Sequence, residues 1–195
     1  MAGMAILPSP GFLWSETNTG NDFSTLLSKL IPINDDRVNQ LWEYKIDDPT
    51  SKWHGGYANQ YDIPNAHSTS GFVVRGCIAY CAPSSTYHRS EKLIADIEAA
   101  LDCLLNVQHE DGTIDLYSTN FHSTPDTAFI VNDLVPTYKM LQDMEGGESL
   151  KDLLNKMKSF ILRAGESFLV GGIHTANHRW VVSAALARLW SIEPR

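Results

Sequence analysis

Residues 88–107 read HRSEKLIADIEAALDCLLNV. Within them Leu93, Ile94, Ile97, Leu101, Leu104 and Leu105 recur at spacings of three and four, so one helix carries them all on a single apolar face. The pattern spreads outward from there. Residues 66–82 contain no breaker except Gly71 and Gly76, and they stop at Pro83. Residues 125–144 open with Pro125 at a first helical position and Asp126 in the first turn. Residues 148–164 repeat the amphipathic pattern with Leu150, Leu153, Leu154, Met157, Phe160 and Ile161, set apart by Gly146-Gly147. A last helix over 175–191 starts at Thr175 and carries Trp180, Val181, Ala184, Leu186 and Leu189. Upstream, a helix after Asn21-Asp22 with Phe23, Leu26, Leu27 and Leu30 is expected to end at Pro32. Asn34 or Asp35 is then expected to cap a second one bearing Val38, Leu41 and Trp42. Residues 47–64 read as a loop. No period-2 run competes, so the chain reads as all-α.

The connections alternate between short turns, after residues 82 and 144, and the long loop 108–124. Such alternation predicts stacked αα-hairpins, a partial (α/α) toroid, with loops gathered at one end. Residues 1–21, rich in Pro, Gly, Ser, Thr and Asn, read as an irregular lead-in, and 22–195 as the helical domain. The final helix has no partner after it. It either caps the array or marks the chain as the N-terminal part of a larger toroid, whose open edge would call for a second copy or a missing C-terminal half.

The chain has 195 residues, 43% of them hydrophobic and 19% charged, with a formal charge of -8. A chain this long buries about two thirds of its unfolded surface and needs no metal or disulfide to fold. An acidic chain without a basic run is a poor partner for nucleic acid or anionic lipid, and no apolar stretch approaches the length of a membrane span. Cys77, Cys81 and Cys103 read as small apolar thiols. Met1–Pro10 has no basic segment before its short apolar piece, so the chain as written reads as cytoplasmic, or as secreted or periplasmic if a leader was removed. The histidines are scattered and no HExxH occurs, so no metal site is expected.

Three segments carry side chains suited to chemistry. In the first, Trp53, His54 and Tyr57 flank Gly55-Gly56. Trp53 and Tyr57 either stack on sugar faces or cover the core. The second runs from Gln108 to Thr127 and sets Glu110, Asp111, Asp115 and Asp126 around one loop, with Asn120, His122 and Tyr117. Two carboxylates across a sugar support hydrolysis. Asp111-Gly112 also fits a plain turn, and Asp126 a plain helix start. The third holds His174, Asn177, His178, Arg179 and Trp180. An amide, an imidazole with an ordinary pKa of about 6.5 and free backbone N–H groups suit a uronic acid. Asn177 would bind the carboxylate, His178 would take the C5 proton, and Arg179 would grip a second carboxylate. The plainer reading makes Asn177 a cap, His178 exposed and Trp180 core.

The run NVQHEDGTID after a helix resembles the Gln-x-x-Asp-Gly turn of (α/α) toroid enzymes that act on carbohydrates. Together with STNFHSTPDTAF and GIHTANHRWVVSAALARL, it is similar to the heparinase II/III-like toroids and related uronate-acting families, over roughly residues 50–190. Such enzymes are longer and add a β-sandwich domain. The resemblance implies a carbohydrate-active enzyme on an acidic oligo- or polysaccharide, cleaving by β-elimination without a cofactor. Asn177 would neutralise the carboxylate, His178 would transfer the proton, and Tyr117 or Tyr57 would supply the acid. Trp53, His54, Asn120, His122, His174 and Arg179 would hold the sugar. Two alternatives stand beside it: a toroid glycoside hydrolase using Asp111, Asp115 or Asp126, and a non-catalytic helical module that binds a glycan or a protein.

Overall fold

A computed structural model describes residues 19–118, 120–144 and 150–194. Six helices are found among them: α1 (Thr19–Trp42), α2 (Ala66–Cys81), α3 (Glu91–Val107), α4 (Thr124–Gln142), α5 (Lys151–Ser167) and α6 (Ala176–Trp190). The chain is mostly helical, as expected. The lead-in over 1–18 and the Gly146-Gly147 break lie outside the described residues.

Helix α3 fulfils the reading of 88–107. Ser90 caps it by accepting from Leu93 N, and Leu93, Ile97, Leu101 and Leu104 are buried on one face. Ser123 caps α4 in the same way, through Asp126 N. Asn65 caps α2 through Ser68 N. Each cap satisfies a backbone donor that the first helical turn leaves open, and contributes about 1 kcal/mol.

The expected break at Pro32 does not occur, because α1 runs through it. Proline removes one helical hydrogen bond and crowds the preceding turn, at a cost of about 3 kcal/mol. Burial on both sides of it offsets that cost. Ile31, Asp35 and Val38 lie at helical spacing and are all buried. Nor do Asn34 and Asp35 cap a helix. Asn34 Nδ2 donates to Arg75 O on α2 at 2.9 Å, and Asp35 accepts from Ser85 Oγ at 2.7 Å and Thr86 N at 2.8 Å.

The loop 108–124 also departs from expectation. It holds a short antiparallel hairpin, β1 (Ile114–Leu116) and β2 (Asn120–Ser123). Strands of three and four residues are too short to display an alternating pattern in sequence.

The helices pack in a simple order. Helix α1 lies on α2, α2 on α3 and α4, and α4 on α5 and α6, while α3 also touches α5. Helices α2, α4 and α6 therefore form one row and α3 and α5 a second. The rows enclose a core of Phe72, Leu101, Leu104, Leu134, Leu153 and Phe160, among others. Tyr57 stacks on Phe72 with ring centroids 4.0 Å apart.

A buried carboxylate ties α1 and the following loop to α3. Asp96 accepts from Trp42 Nε1 at 2.8 Å, Lys45 Nζ at 2.9 Å and Lys92 Nζ at 2.8 Å. Burial alone would raise its pKa, but the bonds from Lys92, Lys45 and Trp42 outweigh burial and hold it below the usual carboxylate value. Asp96→Asn strips the charge these donors face and should destabilise the fold by about 3 kcal/mol in a urea titration. A loss under about 0.5 kcal/mol would mean that the knot contributes no more than a surface pair.

The cysteines behave as expected. Cys77 and Cys103 are buried, Cys81 is partly so, and all three are free thiols. Burial pushes the Cys103 thiol up to about 12, so it is held protonated and poorly nucleophilic.

Candidate functional site

Helices α2, α4 and α6 run parallel, because each is separated from the next by one returning helix or segment. Their first turns therefore meet at one end. Position 67 is the second residue of α2, 126 the third of α4 and 178 the third of α6. His67 Nε2 donates to Asp126 Oδ1 at 3.1 Å. Asp126 Oδ2 accepts from Ser123 Oγ, which in turn accepts from Asn120 Nδ2 at 2.9 Å. Asp126 also lies within electrostatic reach of His178. The hydrogen bond from His67 is the largest influence on Asp126. With Ser123 and the two imidazoles it outweighs partial burial and holds the carboxyl below its usual range.

The segment before α6 is pressed onto the same end. Gly172 has φ +83°, and a Cβ there would stand 2.7 Å from Thr124 Oγ1, so only glycine lets the 171–175 segment lie against the first residue of α4. The second and third sequence segments thus converge, as the alternation of loops anticipated.

His178 is half-buried, and its Nδ1 is buried with no hydrogen-bond partner among the described residues. Asn177 and Arg179 are exposed on the same turn. Thr175 Oγ1 donates to Asn177 Oδ1, which turns the Nδ2 donor away from Thr175. Thr175, not Asn177, occupies the N-cap position. Trp180 is 79% exposed and so is not core. It borders an open cleft of about 710 Å³ with Asn177, Phe129, Asn132 and Arg188. His174 and His178 are four apart, a spacing that could offer two imidazoles to one ion on a helix. Helix α6 begins only at Ala176, however, so His174 lies outside it, and no metal-holding group of three or more ligands occurs among the described residues.

The Gln-x-x-Asp-Gly turn is architecture. Gln108 Nε2 donates to Gly112 O at 2.8 Å and to Phe160 O at 3.1 Å, and an Arg163 guanidinium nitrogen donates to His109 O at 3.2 Å. The turn is thereby docked on α5. Asp111 Oδ1 accepts from Thr113 N at 3.0 Å and from Thr113 Oγ1 at 2.6 Å, and its Oδ2 pairs with His122 Nδ1 at 2.7 Å. Asp115 Oδ1 accepts from His109 Nε2 at 2.7 Å and from His122 N at 2.9 Å. The two imidazoles stack 3.8 Å apart. His122 takes a left-handed φ of 52° where the strand register shifts, a conformation that costs a non-glycine residue roughly 1–3 kcal/mol. The histidine–aspartate pairs hold it there.

This arrangement has a pH signature. Burial would raise the Asp111 pKa, but its bonds from Thr113 and His122 lower it from 3.8 to about 2. The ionised form is therefore the one that holds the turn. Its contribution is complete above the unfolded value of 3.8 and is lost as pH falls toward about 2. The protection factor of the Thr113 amide, taken against the intrinsic exchange rate at each pH, should be high at pH 5 and fall across that window. Equal protection at both ends would show that Asp111 does not hold the turn.

The first segment lies elsewhere. Tyr57 is fully buried and stacked on Phe72, and desolvation pushes its hydroxyl well above the ordinary phenol range. It presents no ring face to a sugar and cannot serve as the acid. Trp53 packs partly against the core, and the neighbouring Lys52 O is held by Asn106 Nδ2 on α3 at 2.8 Å. His54 is exposed near Asp48, whose pKa is lowered chiefly by hydrogen bonds from Thr50 and least by His54. Tyr117, by contrast, is 43% exposed and borders a cleft beside the first turn of α2.

Sequence reasoning missed His67 and Ser123. Both carried a signal: each stands within the cap or first turn of a helix in the same row, the positions that Asp126 and His178 also occupy. No protein-family model, curated protein or solved structure matches this chain.

Proposed function

We propose that this chain cleaves a uronate-containing glycan by β-elimination, as an (α/α)-toroid carbohydrate enzyme or the N-terminal portion of one. The observation that carries the reading is the meeting of His67, Asp126 and His178 on three parallel helix starts. Three helix N-termini favour an anion, here the uronate carboxylate as charge builds on it. The Nδ2 group of Asn177 donates to that carboxylate and eases formation of the C5 carbanion. His178 takes the C5 proton as a neutral imidazole, and Asp126 stabilises the imidazolium that results. The C4–O bond then breaks, the C4–C5 double bond forms, and Tyr117 protonates the departing oxygen. Trp180 and Phe129 offer apolar planes to the sugar faces of the cleft beside Asn177. The two-row packing of helices supports the toroid.

The test is a panel of uronate glycans assayed in parallel for new reducing ends and for the ultraviolet absorbance of the conjugated double bond. Both signals should rise together. Reducing ends without absorbance would mean hydrolysis and would transfer the role of Asp126 from imidazolium stabiliser to acid or base.

A second reading is favoured by one observation. Helix α6 and the segment before it leave Trp180, Trp190, Leu169 and Val170 exposed, and the outer stripe of α1 leaves Phe23, Leu26, Leu30 and Ile33 exposed. Uncovered apolar faces of this kind suit a helical module that binds a partner. Sedimentation of the isolated chain distinguishes the two: a dimer at micromolar concentration with no cleavage favours the module.

A further inference from the structure

A cleft of about 750 Å³ lies between α1, α2 and the turn at residues 59–63. We infer that it binds an anionic stretch of sugar chain, with Arg37 and Arg75 on the carboxylate and Tyr61 stacked on a pyranose face. The inference rests on the proposed glycan chemistry and extends it to a second binding surface.

The chain carries a formal charge of -8, yet two arginines border this cleft against a single acid, Glu43, among the described residues lining it. Arg37 donates to Gln40 Oε1 at 2.7 Å, a neutral acceptor. The bond from Asn34 Nδ2 to Arg75 O fixes α1 against α2, so the two guanidinium groups stand on facing helices. A guanidinium is a planar donor fork that can match a carboxylate bidentately.

Tyr61 is 69% exposed and lines the same cleft, so its ring face is open to a sugar. Its position is built rather than loose. Asn59 Oδ1 accepts from Tyr61 N at 2.9 Å and from Ile63 N at 3.1 Å, and Asn59 N donates to Ile63 O at 2.9 Å. Asp62 takes a left-handed φ of 57° to close this turn. Tyr117 faces the same cleft from the hairpin, and Asn65 and Ser68 border it from the first turn of α2. His67 stands between those two residues and bonds Asp126.

The experiment is calorimetric titration of the whole chain and of Arg37→Gln and Arg75→Gln. The probes are unsulfated tetrasaccharides containing glucuronate, galacturonate or mannuronate, a sulfated neutral tetrasaccharide, and tetraglutamate. The expected result is binding of at least one uronate tetrasaccharide, weakened about tenfold or more in each variant, with melting temperatures unchanged. Stronger arginine-dependent binding of the sulfated sugar would retain the cleft and make sulfate its anion. Arginine-dependent binding of tetraglutamate as tight as that of the sugars would overturn the glycan assignment in favour of an acidic peptide. Wild-type affinity in both variants, or no binding of any probe by the whole chain, would overturn the cleft. Cleavage is scored separately. Arginine-dependent binding without cleavage would sink the elimination reading and leave the cleft standing. Cleavage with arginine-independent binding would do the reverse.

Discussion

In the proposed elimination, His178→Ala is expected to lower the rate of cleavage by about 10²–10⁴-fold, the usual contribution of a positioned general base, and to shift the melting temperature by only a few degrees. His178 sits in the first turn of α6, with Nδ1 buried and unpartnered among the described residues and with Asp126 close enough to feel its charge. In the proposed mechanism its removal takes away a proton acceptor that water replaces poorly. Asn177→Ala should cost less, since backbone N–H groups of the same turn still face the carboxylate. A rate within a few-fold of wild type in His178→Ala would remove the base from the mechanism. Asp126→Asn keeps the bond from Ser123 but loses the charge. It should shift the pH dependence of cleavage rather than abolish the activity, which marks Asp126 as a positioning residue.

Gly112→Ala destabilises the chain by more than about 3 kcal/mol, at the severe end of single substitutions. Two effects combine. Gly112 holds φ at +85°, which a side chain disfavours, and an added Cβ would stand 2.0 Å from Arg163 O. That oxygen is backbone on α5 and cannot swing aside. The turn would have to lift, and with it the bonds from Gln108 Nε2 to Phe160 O and from Arg163 to His109 O. The hairpin that carries Tyr117, Asn120 and Ser123 would lose its anchor. Urea denaturation measures the effect. A loss below about 1 kcal/mol would show that the turn is free to move off α5.

Much of the fold was legible because most helices of this chain carry their own punctuation. Pro125 marks a start, Pro83 marks a stop, and apolar residues at three and four fix the buried faces. The exceptions have physical causes. Pro32 carries a strong local signal against helix, and only the buried Ile31, Asp35 and Val38 on either side override it. The hairpin within 108–124 is held by cross-loop bonds from Asp111, Asp115 and their histidines, which no local pattern announces. The site was legible in part. Asn177, His178 and Asp126 were visible as polar residues at helix starts. His67 was not singled out, although it holds the matching position on α2. Tyr57 shows the opposite failure: an aromatic loop residue whose burial depends on Phe72, fifteen positions away in sequence. Arg37 and Arg75 were invisible as a pair, because only the packing of α1 on α2 brings them to one cleft.

The measurement that bears most directly on the central claim is the mass of the products formed in heavy-oxygen water. Elimination breaks the C4–O bond without adding solvent, so the new non-reducing end is unsaturated and lighter by one water than a hydrolysis product, while the new reducing end is formed with the bridging oxygen rather than with heavy oxygen from solvent. That is the result predicted for the intact chain, and it should disappear with His178→Ala. Saturated products carrying one heavy oxygen would contradict it and establish hydrolysis at this site instead.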